Sequence, residues 1–428
     1  MFTANAHTPA KTTSPSAVTP FYGYAAISFL VAGILLFIYS SSFNGHYFHP
    51  KILAITHIMA LGWGVMIILG ASHQLIPVLI ESSLFSVPLA RLSLFLAGTG
   101  IPLLAYGFFI FSMGWEAQWG GILINSAIIA YLVNLVLSMR KSQSNNIHAI
   151  FVLTAAFWLL LTTLIGLALV YNFSYSFLSR DSLHYLPLHA NIGIAGWFLL
   201  LVVGVATRLI PMFLISKYQR PRLLWSIYLL INAGMAGFVL NFLYLRQSGL
   251  YFLPAVMIGL SLILVGYYCY QCYRMRLRKK VDEQIKISLL AVAMMILPVI
   301  LLIIIIGAMQ LSGINNKLAL LYGFVIFFGW LTAIILGMTF KTLPFIIWNK
   351  MHHSFAANEK TPSPKDLFSA RIFTAMGIAY LPGFVLFCAG IALANTALLR
   401  SGSAFILLTA ILYNWNVMKL IRYKSKKP

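Results

Sequence analysis

His57 and His189 are the residues of this chain best able to bind a metal ion or a haem iron. Both lie near the start of a long apolar segment. An imidazole inside a membrane costs free energy unless it is paired, and its neutral ring nitrogen is a good ligand for haem iron or copper. A single intramembrane histidine is more often hydrogen-bonded to a neighbouring helix. The sequence therefore gives each ring two interpretations, a ligand or a packing residue.

Other histidines offer weaker sites. His184 lies five residues before His189 and could cap the same pocket. His46 and His49 have the close spacing of a surface copper or haem-edge site, although an ordinary polar loop is the simpler explanation. His73 lies in an apolar segment next to a glutamine, where hydrogen bonding at the membrane interface is the simpler role.

The elements that must position these side chains carry a motif that occurs three times. Each copy has a Gly-Trp pair, a glycine seven residues after the tryptophan, a polar residue eleven after it and a proline fourteen after it. The copies are Trp63, Gly70, Gln74 and Pro77; Trp197, Gly204, Arg208 and Pro211; and Trp330, Gly337, Lys341 and Pro344.

The spacing within this motif predicts three equivalent helices. At 100° per residue the repeated positions fall within a stripe of about 60°. Close helix packing explains the glycines and the tryptophan. His57 lies six residues before its tryptophan and His189 eight before its own, which predicts that the two rings lie on opposite flanks of the stripe.

Composition indicates the fold class. The chain is 61% hydrophobic and 8% charged, and apolar runs of membrane-spanning length recur throughout. We expect an all-α polytopic membrane protein with about twelve transmembrane helices, arranged as three pseudo-repeated four-helix arcs. The predicted spans lie near 21–44, 51–80, 87–113, 116–138, 148–172, 186–216, 222–244, 250–273, 286–312, 317–347, 371–394 and 399–421.

The same reading gives the organisation of the whole chain. Residues 1–20 are expected to form a flexible cytoplasmic tail, 21–421 one membrane domain and 422–428 a basic cytoplasmic tail. The repeat units within the membrane domain are about 21–145, 146–280 and 281–421.

The net charge of +22 is an orientation signal. Basic residues concentrate in the connectors that follow even-numbered spans, which predicts that this side and both termini are cytoplasmic. The expected contact is with the lipid bilayer and its anionic headgroups, and no nucleic-acid partner is implied. Arg208 and Lys341 are expected to extend toward the headgroups. All acidic residues fall in connectors or at span ends, so no buried carboxylate is expected.

Three arcs of four helices, a histidine early in span two and the segment His189-Ala190-Asn191-Ile192-Gly193 in span six resemble subunit I of the haem–copper oxidase superfamily. By this resemblance, His57 matches the span-two axial haem ligand and His189 a span-six copper ligand. The chain is also similar to short bacterial membrane proteins described as oxidase-subunit-I-like. The resemblance implies the bacterial cytoplasmic membrane, a haem, less strongly copper, and a respiratory subunit or electron donor as partner.

This chain departs from the family pattern at the remaining ligands. The two span-ten histidines of the family correspond to Tyr322 and Phe324, and the expected seventh span contains no histidine. We therefore expect a haem-binding redox or gas-related protein, for oxygen or nitric oxide, without a full oxygen-reducing site. The haem iron would then bind His57 alone and be five-coordinate, or it would bind His57 together with His189, His184 or a tyrosine such as Tyr322.

Whether the chain is an enzyme stays open, and no catalytic residue is predicted. The alternative is a cofactor-free membrane scaffold, assembly factor or small-solute transporter on the same fold. A common twelve-span transporter is built as two six-span halves, which does not match a period of four spans.

Overall fold

The structure is a computed structural model, and it describes residues 13–142, 146–277, 281–311, 313, 315–352 and 363–423, without the side chains of 350–352. Twelve helices of this part of the chain are long and apolar enough to span a membrane, and it contains no β-strand. They are α1 Pro15–Ile38, α2 Pro50–Ile80, α3 Val87–Phe109, α4 Trp115–Met139, α5 Ile147–Tyr175, α6 Ser182–Leu214, α7 Pro221–Leu245, α8 Ser248–Arg274, α9 Glu283–Leu311, α10 Asn316–Asn349, α11 Ala370–Leu393 and α12 Thr396–Ile421. The expected all-α polytopic membrane fold is confirmed.

The packing of the helices follows the three groups of four that the repeated motif defines. In each group of four, the first helix packs against the second and the third against the fourth, and α1 packs against α12. The second helix of each group is the most enclosed. In α2, α6 and α10, 83%, 72% and 67% of the most apolar window is buried, against 28–50% in the other nine. These three central helices carry the repeated motif.

The first helix begins earlier than the sequence suggested. α1 starts at Pro15, in the first turn, where proline is favourable because no N–H is needed there. The hydroxyl of Thr13 donates to the carbonyl oxygen of His73 at 2.7 Å, an oxygen that Pro77 leaves without its helical N–H donor. Residues 13–20 therefore belong to the fold, and the prediction of a flexible tail was wrong for them. Residues 1–12 of that tail lie outside the described part, as do residues 424–428 of the C-terminal tail.

Each repeated tryptophan lies in a π-helical segment. These segments are Ile58–Val65, Ile192–Leu199 and Val325–Leu331. A π-helical turn holds more residues than an α-helical turn and shifts the phase of all side chains beyond it, and such turns are frequent at functional sites. The histidines precede the segments in α2 and α6, so the flank prediction for them, made with a constant 100° per residue, does not include the phase shift that each segment adds.

The repeated glycines allow the preceding helix to approach closely. A Cβ atom on Gly70 would clash with Phe21 of α1, one on Gly204 with Phe151 of α5, and one on Gly337 with Ser288 of α9. The packing interpretation of the motif agrees with these contacts.

We call the end of the bundle where α2, α6 and α10 begin the histidine face, and the opposite end the basic face. At the basic face, Asp282 accepts hydrogen bonds from Lys341 at 2.6 Å and from Lys365 at 2.9 Å, and only 8% of its side chain is exposed. The expectation that Lys341 extends to lipid headgroups was wrong, because this enclosed carboxylate was not foreseen. Burial alone would raise the pKa of Asp282, but the hydrogen bonds and charges of the two lysines outweigh it and lower the pKa to about 2.

Candidate functional site

An internal cavity of about 510 Å³ lies in the half of the bundle nearer the histidine face. Its lining comes from the α1–α2 connector and from α2 through α10, and its size is in the range of pockets that hold small molecules and cofactors. No Asp, Glu, Lys or Arg of the described chain lines it. The polar lining includes two imidazoles, a phenol and an amide, from His57, His189, Tyr322 and Asn191.

His57 lies in the first turns of α2, directly before the π-helical segment. Its Nδ1 is 2.8 Å from the carbonyl oxygen of Leu53, and its ring contacts Phe108 of α3 at a centroid distance of 4.6 Å. A carbonyl oxygen only accepts, so Nδ1 carries the proton and Nε2 keeps its lone pair. Among the described residues none hydrogen-bonds to that Nε2.

His189 occupies the corresponding place in α6 and is held in the same manner. Its Nδ1 is 3.0 Å from the carbonyl oxygen of Thr162 in α5, and the described chain supplies no partner to its Nε2. The ring lies against Gly166, where a Cβ atom would come within 2.8 Å of Cε1. The glycine is therefore required for the present position of the imidazole.

The two rings face the same cavity and lie close together. Their centroids are 6.3 Å apart and their planes differ by 15°. Two metal–nitrogen bonds of about 2.0–2.1 Å would place the centroids of two imidazoles roughly 6 Å apart across one ion. The predicted opposite flanks of the helical stripe did not keep the rings apart, because they project from two different helices that line one cavity.

Tyr322 and Phe324 occupy the positions of the family's span-ten ligands, and the structure treats them differently. The hydroxyl of Tyr322 lies in the cavity wall and donates to Oδ1 of Asn191 at 3.1 Å, which joins α10 to α6. Phe324 stacks on Phe387 at 4.3 Å and on Phe328 at 4.9 Å. Both residues line the cavity, but only Tyr322 brings a polar group to it.

The remaining candidate histidines lie elsewhere. His184 contacts the ring of Phe242 at 5.5 Å but is not in the cavity lining. The Nδ1 atoms of His46 and His49 accept hydrogen bonds from nearby backbone N–H groups, as in an ordinary loop. His73 is fully buried against Phe21 and is also outside the cavity lining. Within the described ranges no group of three or more His, Cys, Asp and Glu is placed to hold a metal ion.

Sequence reasoning did not find the residues that orient the rings. Leu53 and Thr162 act through backbone carbonyls, which carry no side-chain signal, and Gly166 lies outside the repeated motif. Asn191, two residues after His189, was part of the quoted segment, but its partner on α10 depends on how the helices pack.

The fold and the cavity define the class of this protein as an all-α polytopic membrane protein, with a cavity that no charged residue of the described chain lines and with a pair of histidines in its wall. No protein-family model matches the chain, and no curated protein matches it.

Proposed function

We propose that this chain is a membrane haem protein with a redox or gas-related role, and that His57 and His189 are the ligands of the haem iron. The observation that supports the proposal is the pair of nearly parallel rings in one cavity, each with Nδ1 hydrogen-bonded to a backbone carbonyl and with Nε2 lacking a hydrogen-bond partner among the described residues. This is the donor set that an axial imidazole requires, so the residues fit the group.

The chain's own residues have definite roles in this proposal. The carbonyls of Leu53 and Thr162 hold the Nδ1 protons, fix the tautomer and raise the basicity of each Nε2. Phe108 and the aliphatic lining exclude water from the rings. A bound haem would supply one-electron transfer or the binding of a diatomic gas such as oxygen or nitric oxide. Tyr322 would offer a hydroxyl within the same cavity.

The resemblance to haem–copper oxidase subunit I belongs to the same proposal. Copper would find only His189 among the family's copper ligands, because the expected seventh span contains no histidine. We therefore infer a divergent member without the full oxygen-reducing site. The basic face is inferred to be cytoplasmic, in a bacterial inner membrane, with electrons supplied by a respiratory partner.

The decisive experiment is a reduced-minus-oxidised visible spectrum of the purified protein, with iron and copper measured on the same sample. We expect haem bands with about one iron per chain. His57→Ala and His189→Ala should each lose the bands or convert them to a five-coordinate form. His184→Ala is the matched control, because this histidine lies near the site but outside the cavity lining. Unchanged bands in both cavity variants would refute the proposed ligands.

A second candidate is a cofactor-free membrane scaffold, assembly factor or transporter of a small solute. It is favoured by the absence of any cation from the described cavity lining, since haem propionates are anionic and usually need charged or polar partners. A blank spectrum and no metal after expression with ample haem would favour this function. The propionates would have to reach the histidine face for the first proposal to hold.

A further inference from the structure

Part of the cavity wall is formed by α7, α8, α9 and α10, and we call this part of the cavity the side arm. Its wall is aliphatic and aromatic, and includes Phe238, Phe242, Ile258, Leu262, Val299 and Leu302. No charged side chain of the described chain lines it. Such a space accepts the apolar part of a ligand and rejects a charged headgroup.

The helix α9 is interrupted where it lines this arm. Regular α-helix runs from Glu283 to Met294 and again from Ile296 to Leu311, with Met295 between the two segments. Pro298 has no N–H to offer the carbonyl of Met294, which explains the break. The first segment packs closely against α10, whereas the second makes fewer contacts with it.

The second segment of α9 therefore separates the arm from the bilayer. Leu302, Ile305 and Ile306 line the arm, while Ile303 and Ile304 of the same segment are exposed on the outside of the bundle. From Met295 to Met309 the lining extends over about 21 Å at 1.5 Å per residue. One leaflet of bilayer hydrocarbon is about 15 Å thick, so the arm is deep enough for a lipid chain.

Two cations lie at the end of the arm nearest the histidine face. Arg246 is exposed in the α7–α8 connector, two residues before the lining residue Ser248. Lys317 is exposed in the first turn of α10, two residues before the lining residue Ala319. The sequence has no acidic residue in the two segments around these cations, 246–251 and 312–317. An anionic group at this position would meet positive charge without a competing carboxylate.

We propose that the side arm is a phospholipid site. One acyl chain of a phospholipid from the leaflet at the histidine face lies along α9, and its phosphate is held by Arg246 and Lys317. The uncharged wall and the depth of the arm fit the chain, and the two cations fit the phosphate. This site uses neither histidine, so its occupancy by a phospholipid is measured separately from the binding of haem.

The test is to purify the full chain in detergent, wash it extensively and measure retained phospholipid per chain by mass spectrometry. We expect about one phospholipid per chain in the unchanged protein. Leu302→Trp fills the arm and should lower retention at least fivefold. Ile303→Trp, the adjacent residue on the outer side of the same helix, should retain the lipid.

A second pair of variants tests the headgroup without altering the helix interior. Arg246→Gln combined with Lys317→Gln should lower retention severalfold, while Arg400→Gln, another cation at the histidine face, should not. Loss of all phospholipid from the unchanged protein, or equal retention in Leu302→Trp and Ile303→Trp, would overturn the site. Retention insensitive to the double Gln variant would overturn the phosphate contact. The visible spectrum, recorded on the same samples, reports on the haem proposal separately.

Discussion

Replacement of Gly166 by alanine tests whether the exact position of the His189 ring matters. The new methyl carbon would lie 2.8 Å from Cε1 and 3.3 Å from Nδ1 of His189. Carbon atoms pack at about 3.5–4.0 Å, so the ring must move by at least roughly 0.7 Å or α5 must shift. Either movement disturbs the hydrogen bond from Nδ1 to the carbonyl of Thr162, now 3.0 Å long.

We expect Gly166→Ala to lower haem affinity about 10–100-fold, as is common when a group that orients a ligand is disturbed. Overpacking should also cost about 1–3 kcal/mol of stability. The assays are haem titration followed by absorbance and thermal unfolding in detergent. Gly237→Ala in α7 is the control, since a Cβ atom there meets nothing within 4 Å. Equal haem affinity in Gly166→Ala and Gly237→Ala would refute the role assigned to this ring position.

The other predictions concern the hydrogen bonds and charges of the bundle. Asp282→Asn should destabilise the protein by about 1–3 kcal/mol because it leaves two lysines without their carboxylate. Glu283→Gln removes a carboxylate from an exposed ion pair and should have almost no effect on stability. Thermal unfolding of both variants compares the two effects. The pKa of Asp282 is lowered from 3.8 to about 2, so its contribution to stability is present above about pH 4 and should be lost as the pH falls through about 2; a pH series in which Asp282→Asn shows the same acid loss would contradict this. Thr13→Ala should cost about 0.5–1.5 kcal/mol by leaving a buried carbonyl without a donor, measured by the same unfolding assay. Tyr322→Phe should keep the haem bands while losing about 1 kcal/mol with its hydrogen bond to Asn191; loss of the bands would instead identify the phenol as a ligand.

The histidine site illustrates how far sequence reasoning reaches. The residue type of His57 and His189 and their place near the starts of two apolar segments identified them as the best candidates. The distance between the two rings depends on how α2 packs against its neighbours and on the phase shift of the π-helical segments. A calculation with a constant 100° per residue includes neither. Tyr322 was among the candidates, but its hydrogen bond to Asn191 on another helix was not foreseen.

The ends of the chain and the basic face show the same division. The Thr-, Ser- and Pro-rich start of the sequence suggested a tail. Thr13 is instead held by a hydrogen bond to the carbonyl oxygen of His73, sixty residues later in the sequence, which Pro77 leaves without a helical donor. Lys341 was expected at the headgroups because it lies near the inner end of its span. Asp282 reaches it from the start of the preceding helix.

The sequence by itself determined the membrane class, the number of helices and the threefold recurrence of the central helix, because hydrophobicity and a short repeated motif are local properties of the chain. Only the tertiary structure decided that two histidines from different repeats share a cavity, that backbone carbonyls fix their tautomers, and that α7 to α10 contribute an apolar wall to the same cavity. Such contacts depend on helix phase and packing between segments far apart in sequence. The free energy of these contacts resides in pairs of residues, and a one-dimensional pattern does not specify the pairs.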